Sequence, residues 1–296
     1  MKSARWLAFA LSVCFLGEDG ETREALWHQT YPFAPDASFA SDVAFTAGGQ
    51  IVLAADGGVI GIAVRTGVTA WMRPGASPRL ALSPDGTIFT VEIRGGAVAA
   101  ARLGAGGNTV WEVLTRDTGL PAGARLDSIG GAAADARGLF VLVNATRPSL
   151  GGGPLSTLAC LAFDADTGRP RWTAPLAIPG ASSHFGACVM APGEGRVFAA
   201  GRAYVFGQNF NTMVFCIAAD AGTVLWRDSF DGFGGDDEIV PGGLAPAPGG
   251  GLYTLAASAG IDAGAETRID RLDAGGKRLW ATRFRSPDGP TAPAAL

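Results

Sequence analysis

A chain of 296 residues with 48% apolar and 17% charged side chains is long enough for a sizeable core and too apolar to be disordered. Its formal net charge of −4, with no basic cluster, argues against nucleic acid or an anionic membrane surface as partner. The 44 glycines and 18 prolines lie scattered among short apolar runs without helical heptads, which points to many short strands joined by tight turns.

At the amino terminus, Lys2 and Arg5 precede an apolar run from Trp6 to Leu16. The run is too short for a bilayer span but has the form of a signal-peptide core. Phe15-Leu16-Gly17 lacks the small-x-small cleavage pattern, and Leu11-Ser12-Val13-Cys14 resembles a lipoprotein box with Val13 where a small residue belongs. The alternative for residues 1–17 is an inner strand of the fold, and residues 18–296 are expected to form one domain.

From Trp27 onward the chain repeats. LGEDGETREALW ends at Trp27, GIAVRTGVTAW at Trp71 and LGAGGNTVW at Trp111; AFDADTGRPRW, IAADAGTVLW and RLDAGGKRLW end at Trp172, Trp226 and Trp280. In the last five a glycine stands four residues before the tryptophan: Gly67, Gly107, Gly168, Gly222 and Gly276. Such a glycine supplies the left-handed conformation of a hairpin turn. Simple alternation along the returning strand then puts the tryptophan on a fixed face, as a wedge against the neighbouring sheet. Each interval holds a second glycine turn followed by an apolar run, as in LSPDGTIFTVEI (82–93) and APGGGLYTLAAS (247–258), and short segments such as SDVAF (41–45) precede these. The unit therefore reads as about four antiparallel strands with intervals of 40 to 61 residues between tryptophans, an all-β β-propeller. Six blades are expected, or seven if the interval from Trp111 to Trp172 hides a further hairpin; its RPSLGGGPLST (147–157) reads more simply as a loop. ATRFRS (281–286) is expected to begin a blade shared with the amino terminus, closing the ring.

Several stretches carry candidate chemistry. None of Cys14, Cys160, Cys188 and Cys216 forms a CxxC, so they read as small buried hydrophobes, with a disulfide among the last three as the alternative. Cys160 and Cys216 occupy what look like equivalent strand positions. His184, beside Ser182 and Ser183, reads as a loop histidine, since no G-x-S-x-G elbow accompanies it. Asn209, Phe210 and Asn211 form a polar-aromatic tip of the kind used in binding loops, and Phe233 is a further loop aromatic. Asp231, Asp236, Asp237 and Glu238 crowd one Gly-rich segment that could give calcium several oxygens, although the spacing is not that of an EF-hand and a solvated loop is the simpler reading.

Ala162, Asp164, Thr167, Gly168 and Trp172 fit A-x-D-x-x-T-G-x-x-x-W, so this copy resembles the tryptophan-docking repeat of PQQ-type quinoprotein propellers. The stretch from Trp226 to Trp280 is also similar to the bacterial extracellular propeller repeat called SBBP. Quinoproteins of this kind imply a PQQ cofactor over a tryptophan floor, a calcium ion, a catalytic aspartate and often adjacent cysteines, and the last are missing here. The resemblance implies a non-enzymatic, monomeric scaffold of the bacterial envelope or extracellular space, periplasmic, outer-membrane-associated or secreted. It would bind protein partners without resident cofactor, nucleic acid or transmembrane span. A quinoprotein-like oxidoreductase, or a propeller binding carbohydrate or another small ligand, is the alternative.

Overall fold

The structure is a computed structural model that describes residues 8–13, 27–32, 40–55, 57–75, 78–149, 152–176, 181–205, 210–230, 236–260 and 264–285. It divides into two compact units, residues 1–114 and 115–296. In the first, β1 (Ala8–Val13) pairs with β2 (Trp27–Pro32). Sheet I comes next with β3 (Ala40–Phe45), β4 (Gln50–Ala55), β5 (Gly57–Ala63) and β6 (Thr69–Gly75), then sheet II with β7 (Arg79–Leu82), β8 (Ile88–Arg94), β9 (Ala97–Leu103) and β10 (Thr109–Thr115). In the second unit, sheet III holds β11 (Arg125–Ala134), β12 (Gly138–Ser149), β13 (Gly152–Asp164) and β14 (Pro170–Leu176). Sheet IV holds β15 (Ala181–Gly193), β16 (Arg196–Val205), β17 (Phe210–Ala218) and β18 (Val224–Phe230). Sheet V holds β19 (Asp236–Ala247), β20 (Gly251–Gly260), β21 (Gly264–Leu272) and β22 (Arg278–Arg285). Each four-stranded sheet is a meander in chain order, and no helix occurs among the described residues.

The sequence pattern explains which strands are central. Ile51 to Ala55 of β4 are at most 1% exposed, as befits a strand covered on both faces, where the apolar run is continuous instead of alternating. The fourth strands lie at the sheet edges and alternate with water, as in the pattern of β6 and β10. On β16, Val197, Ala199 and Ala203 enter the core shared with sheet III, whereas Phe198 and Ala200 enter the core shared with sheet V. The period of two along one strand thus feeds two different layers.

Simple alternation does not set the direction of the tryptophan. Trp71, Trp172, Trp226 and Trp280 pair with Gly61, Ala162, Cys216 and Arg271, and immediately beyond each pair the register shifts by one residue. The extra residue is Ala70, Arg171, Leu225 or Leu279, directly before the tryptophan. A bulge of this kind re-aims the side chains beyond it. Here it turns the tryptophan forward to the next sheet while leaving the residue two places earlier on the backward face. Trp226 accordingly packs on the core shared by sheets IV and V, and Arg278, two before Trp280, reaches back to Asp228 of sheet IV.

Three further expectations are revised. RPSLGGGPLST is mainly hairpin: Arg147 pairs with Leu155 and Thr146 with Ser156, so the long interval lengthens β12 and β13. Residues 281–285 continue β22, the fourth strand of sheet V, and do not begin another blade. Among the described residues there are five four-stranded sheets and the β1–β2 pair, in keeping with the expectation of about six blades. Cys160 and Cys216 are not equivalent, for Cys216 pairs with the docking tryptophan of its sheet and Cys160 pairs with Ala174, two pairs away from Trp172. Both are free and buried, and burial raises both thiols above their ordinary range. Cys188 lies on β15. Residues 8–13, part of the segment read as either leader or inner strand, form β1.

Candidate functional site

Trp71, Trp172 and Trp226 each dock on the turn glycine of the following sheet, not on that of their own. A Cβ on Gly107 would lie 2.4 Å from the Trp71 ring; on Gly222 it would lie 2.7 Å from Trp172, and on Gly276 2.7 Å from Trp226. All five motif glycines have positive φ, between 70° and 83°. At Gly107 that conformation and the ring overhead together forbid any side chain. Sheets II, IV and V thus receive on their turn glycines the tryptophans of sheets I, III and IV. Trp172 donates its indole N–H to the Ala219 carbonyl at 3.0 Å, and Trp226 donates to the Ala274 carbonyl at 3.0 Å. Trp71 differs, donating to Gln50 Oε1 of its own sheet at 3.2 Å.

Above the docked ring, two layers carry a second contact between the residue two after one tryptophan and the residue two before the next. Between sheets I and II, Arg73 donates to Thr109 Oγ1 at 2.7 Å and to Glu112 Oε2 at 2.7 Å. Arg94 donates to the other oxygen of Glu112 at 2.6 Å and also to Glu92. Between sheets III and IV the two positions are Ala174 and Val224. Between sheets IV and V they are Asp228 and Arg278, 3.8 Å apart. There Arg278 also meets Asp270 Oδ1 at 2.8 Å, and Arg268 donates to the same oxygen through Nε and Nη2 at 2.9 and 2.6 Å. Asp270 is fully buried; its Oδ2, and Oγ1 of its cross-strand partner Thr254, have no hydrogen-bond partner among the described residues.

Arg94 donates to Glu112 and holds its carboxyl below the usual range. A carboxyl with a depressed pKa stabilises the fold above its unfolded value near 4.5, and the contribution is lost as pH falls through the folded value. Glu112 is about a third exposed, so the effect is small. Glu112→Gln is expected to cost under about 1 kcal/mol at pH 7 and nothing at pH 3, in urea titrations of both proteins.

The residues singled out by sequence do not converge. Asn211 is buried on β17 opposite Ala203, and Phe210 pairs with Tyr204 at the start of that strand, so neither occupies a loop tip. Asp236, Asp237 and Glu238 belong to β19, opposite Ala259, Ser258 and Ala257, and an extended strand is a different scaffold from the pliant loop that calcium needs. Asn209, Asp231 and Phe233 lie outside the described residues, while His184 and Phe185 are on β15 and not in a loop. Trp27 is the first residue of β2. Among the described residues no three His, Cys, Asp or Glu side chains gather where they could hold a metal. Cys160 and Cys216 belong to different layers and form no adjacent pair. The described residues thus offer no calcium shell beside a quinone, and no step is assigned to one.

Sequence reading missed Gln50, which lines a cavity of about 340 Å³ between the turns of sheets I and II together with Asp85, Thr87, Ala105 and Val110. Gln50 carries no signal by itself, since its counterparts are Thr87, Gly138, Arg196 and Gly251, which share no chemistry.

Four-stranded meanders, docked within each unit by bulged tryptophans, make this an all-β protein of β-propeller repeats similar to the PQQ type. The family described as outer membrane protein assembly factor BamB matches residues 156–295, slightly under half of the chain. No curated protein matches the sequence. Two solved structures share the fold. One is the Dos1 propeller, with a TM-score of 0.50 and 15% identity over 93% of this chain and 62% of that one. The other is the quinohemoprotein alcohol dehydrogenase of Comamonas testosteroni, with a TM-score of 0.50 and 14% identity over 83% of this chain and 44% of that one. The chain therefore spans less than two thirds of either. At such identities the likeness is one of fold.

Proposed function

We propose that this chain is a non-enzymatic binding propeller of the bacterial envelope or extracellular space, and that strand β22 receives an extended segment of a partner protein. The observation that carries this reading is the state of β22. Among the described residues it pairs only with β21, and its side chains are exposed from Arg278 through Phe284. Leu279, Trp280 and Phe284 are 53%, 45% and 53% exposed. An edge strand with unpaired backbone groups and large apolar side chains is suited to strand addition.

Trp280 also differs from the tryptophans docked inside this unit. Arg271 stands between it and Tyr253, with Cζ 4.8 Å from the tyrosine ring, where Ala162 and Cys216 serve in sheets III and IV. The family match covers sheets IV and V, and its description as an outer membrane protein assembly factor supports a reading in which the chain binds other proteins. We propose further that binding needs neither calcium nor PQQ. No helix among the described residues is long and apolar enough to cross a membrane, which leaves β-barrels unaddressed.

A photo-cross-linker at position 284, used on the envelope fraction of the native host, is expected to label one defined protein, in EDTA as well as without it. Trp280→Ala should abolish the labelling while leaving the thermal midpoint within about 1 °C. A fall as large as that of an internal docking tryptophan would show instead that the edge closes the fold from within, through the chain's own β1 and β2. Absence of any labelled protein would sink the reading.

A further inference from the structure

The cavity between sheets I and II has a filled counterpart. In sheet IV the row Phe198–Cys216–Trp226 crosses the sheet, and two residues before Phe198 stands Arg196. In sheet I the matching row is Val52–Gly61–Trp71, which makes Gln50 the counterpart of Arg196. Arg196 extends into sheet V. Its Nη1 donates to the carbonyl of Ala274, the same oxygen that accepts the Trp226 N–H, and its Nε lies 3.2 Å from where a Cβ on Gly250 would be. The guanidinium thus fills the space between the two turns of the following sheet.

Gln50 is shorter and its Oε1 is held by the Trp71 indole. The counterparts of Ala274 and Gly250, namely Ala105 two before Gly107 and Gly86 two before Ile88, now line the 340 Å³ cavity. That volume falls within the range of small-molecule sites. Leu103 and Val110 give it an apolar side and Asp85 a charged rim. Asp85 Oδ1 accepts hydrogen bonds from the Ser83 hydroxyl and from the Thr87 N–H at 3.1 Å. These bonds lower its pKa, so the rim is anionic at neutral pH. Arg102 also lines the space, but it pairs with Phe89 and alternates to the face of β9 opposite Leu103, directing its charge away from the layer.

We propose that this cavity binds a guanidinium group on a short apolar stem, supplied by a free alkylguanidine or by an arginine side chain of a peptide. The group would take the place that Arg196 fills between sheets IV and V, donating to the Ala105 carbonyl and facing Asp85, with its methylenes against Leu103 and Val110.

Calorimetric titration of the full chain with agmatine, with acetyl-Gly-Arg-Gly-amide and with the citrulline form of that peptide tests this. Both guanidinium compounds are expected to bind, and the neutral citrulline peptide about tenfold or more weakly. A peptide that binds tighter than agmatine points to a protein ligand, and the reverse order to a small molecule. Gln50→Arg supplies the group from within and should abolish binding of both. Asp85→Asn, on an exposed turn, should weaken binding about tenfold and decides the matter should Gln50→Arg not fold. Equal binding of the citrulline peptide, saturation in neither guanidinium titration, or undiminished binding by Asp85→Asn would overturn the proposal.

Discussion

Trp226→Ala is expected to destabilise the second unit by about 3–5 kcal/mol, the usual cost of emptying a packed aromatic site. The ring is used on every side. It packs 6.0 Å from Phe198 between centroids, covers Gly276 of sheet V and donates its N–H to the Ala274 carbonyl. Removing it opens a void in the layer and strips a hydrogen bond from a turn that Arg196 also grips. Trp226→Phe keeps much of the bulk and loses the donor, so about 1–2 kcal/mol is expected there. Urea titration followed by far-ultraviolet circular dichroism measures both. A loss below about 1 kcal/mol for the alanine variant would mean that docking is not what joins sheet IV to sheet V.

The second large effect is expected at Asp270. The carboxylate is fully buried and its Oδ1 takes all the contacts from Arg268 and Arg278. Asp270→Ala leaves Arg268, only 11% exposed, without its counter-charge, at a cost of about 3–5 kcal/mol. The pair itself is worth far less than this, because solvation was given up to bury it. Asp270→Leu combined with Arg268→Met should therefore recover most of the loss. A double variant as unstable as Asp270→Ala would assign the cost to Arg278 or to the cavity, which Arg278→Met in the same background would resolve.

The repeat was legible in the sequence because glycine and tryptophan each have one strong conformational or steric preference. A hairpin glycine and a bulky ring four residues later read the same in five of the six copies. The strands after the second turn were legible for the same reason. The bulge at Ala70, Arg171, Leu225 and Leu279 was not, because those four side chains share no property and the bulge results from how the turn meets the sheet. RPSLGGGPLST misled through composition: three glycines and two prolines mark a loop unless the hairpin around them is long enough to extend into solvent. The acidic run at 236–238 misled in the same way, since its place on β19 is imposed by pairing with β20 and not by its own propensity. Gln50 carried no signal by itself. Its meaning appears only when it is placed over Arg196 in register.

The contact that two layers carry above the docked ring has a consequence for how such a chain avoids mispairing with itself. Repeats this similar invite a sheet to stack on the wrong neighbour during folding. Seating sheet III in the place of sheet IV would put Ala174 where Asp228 belongs and take that carboxylate from Arg278. Seating sheet IV against sheet II would replace Arg73 with an acid facing Glu112. The tryptophan and glycine are interchangeable between copies, and the charges above them act as addresses that forbid the exchange.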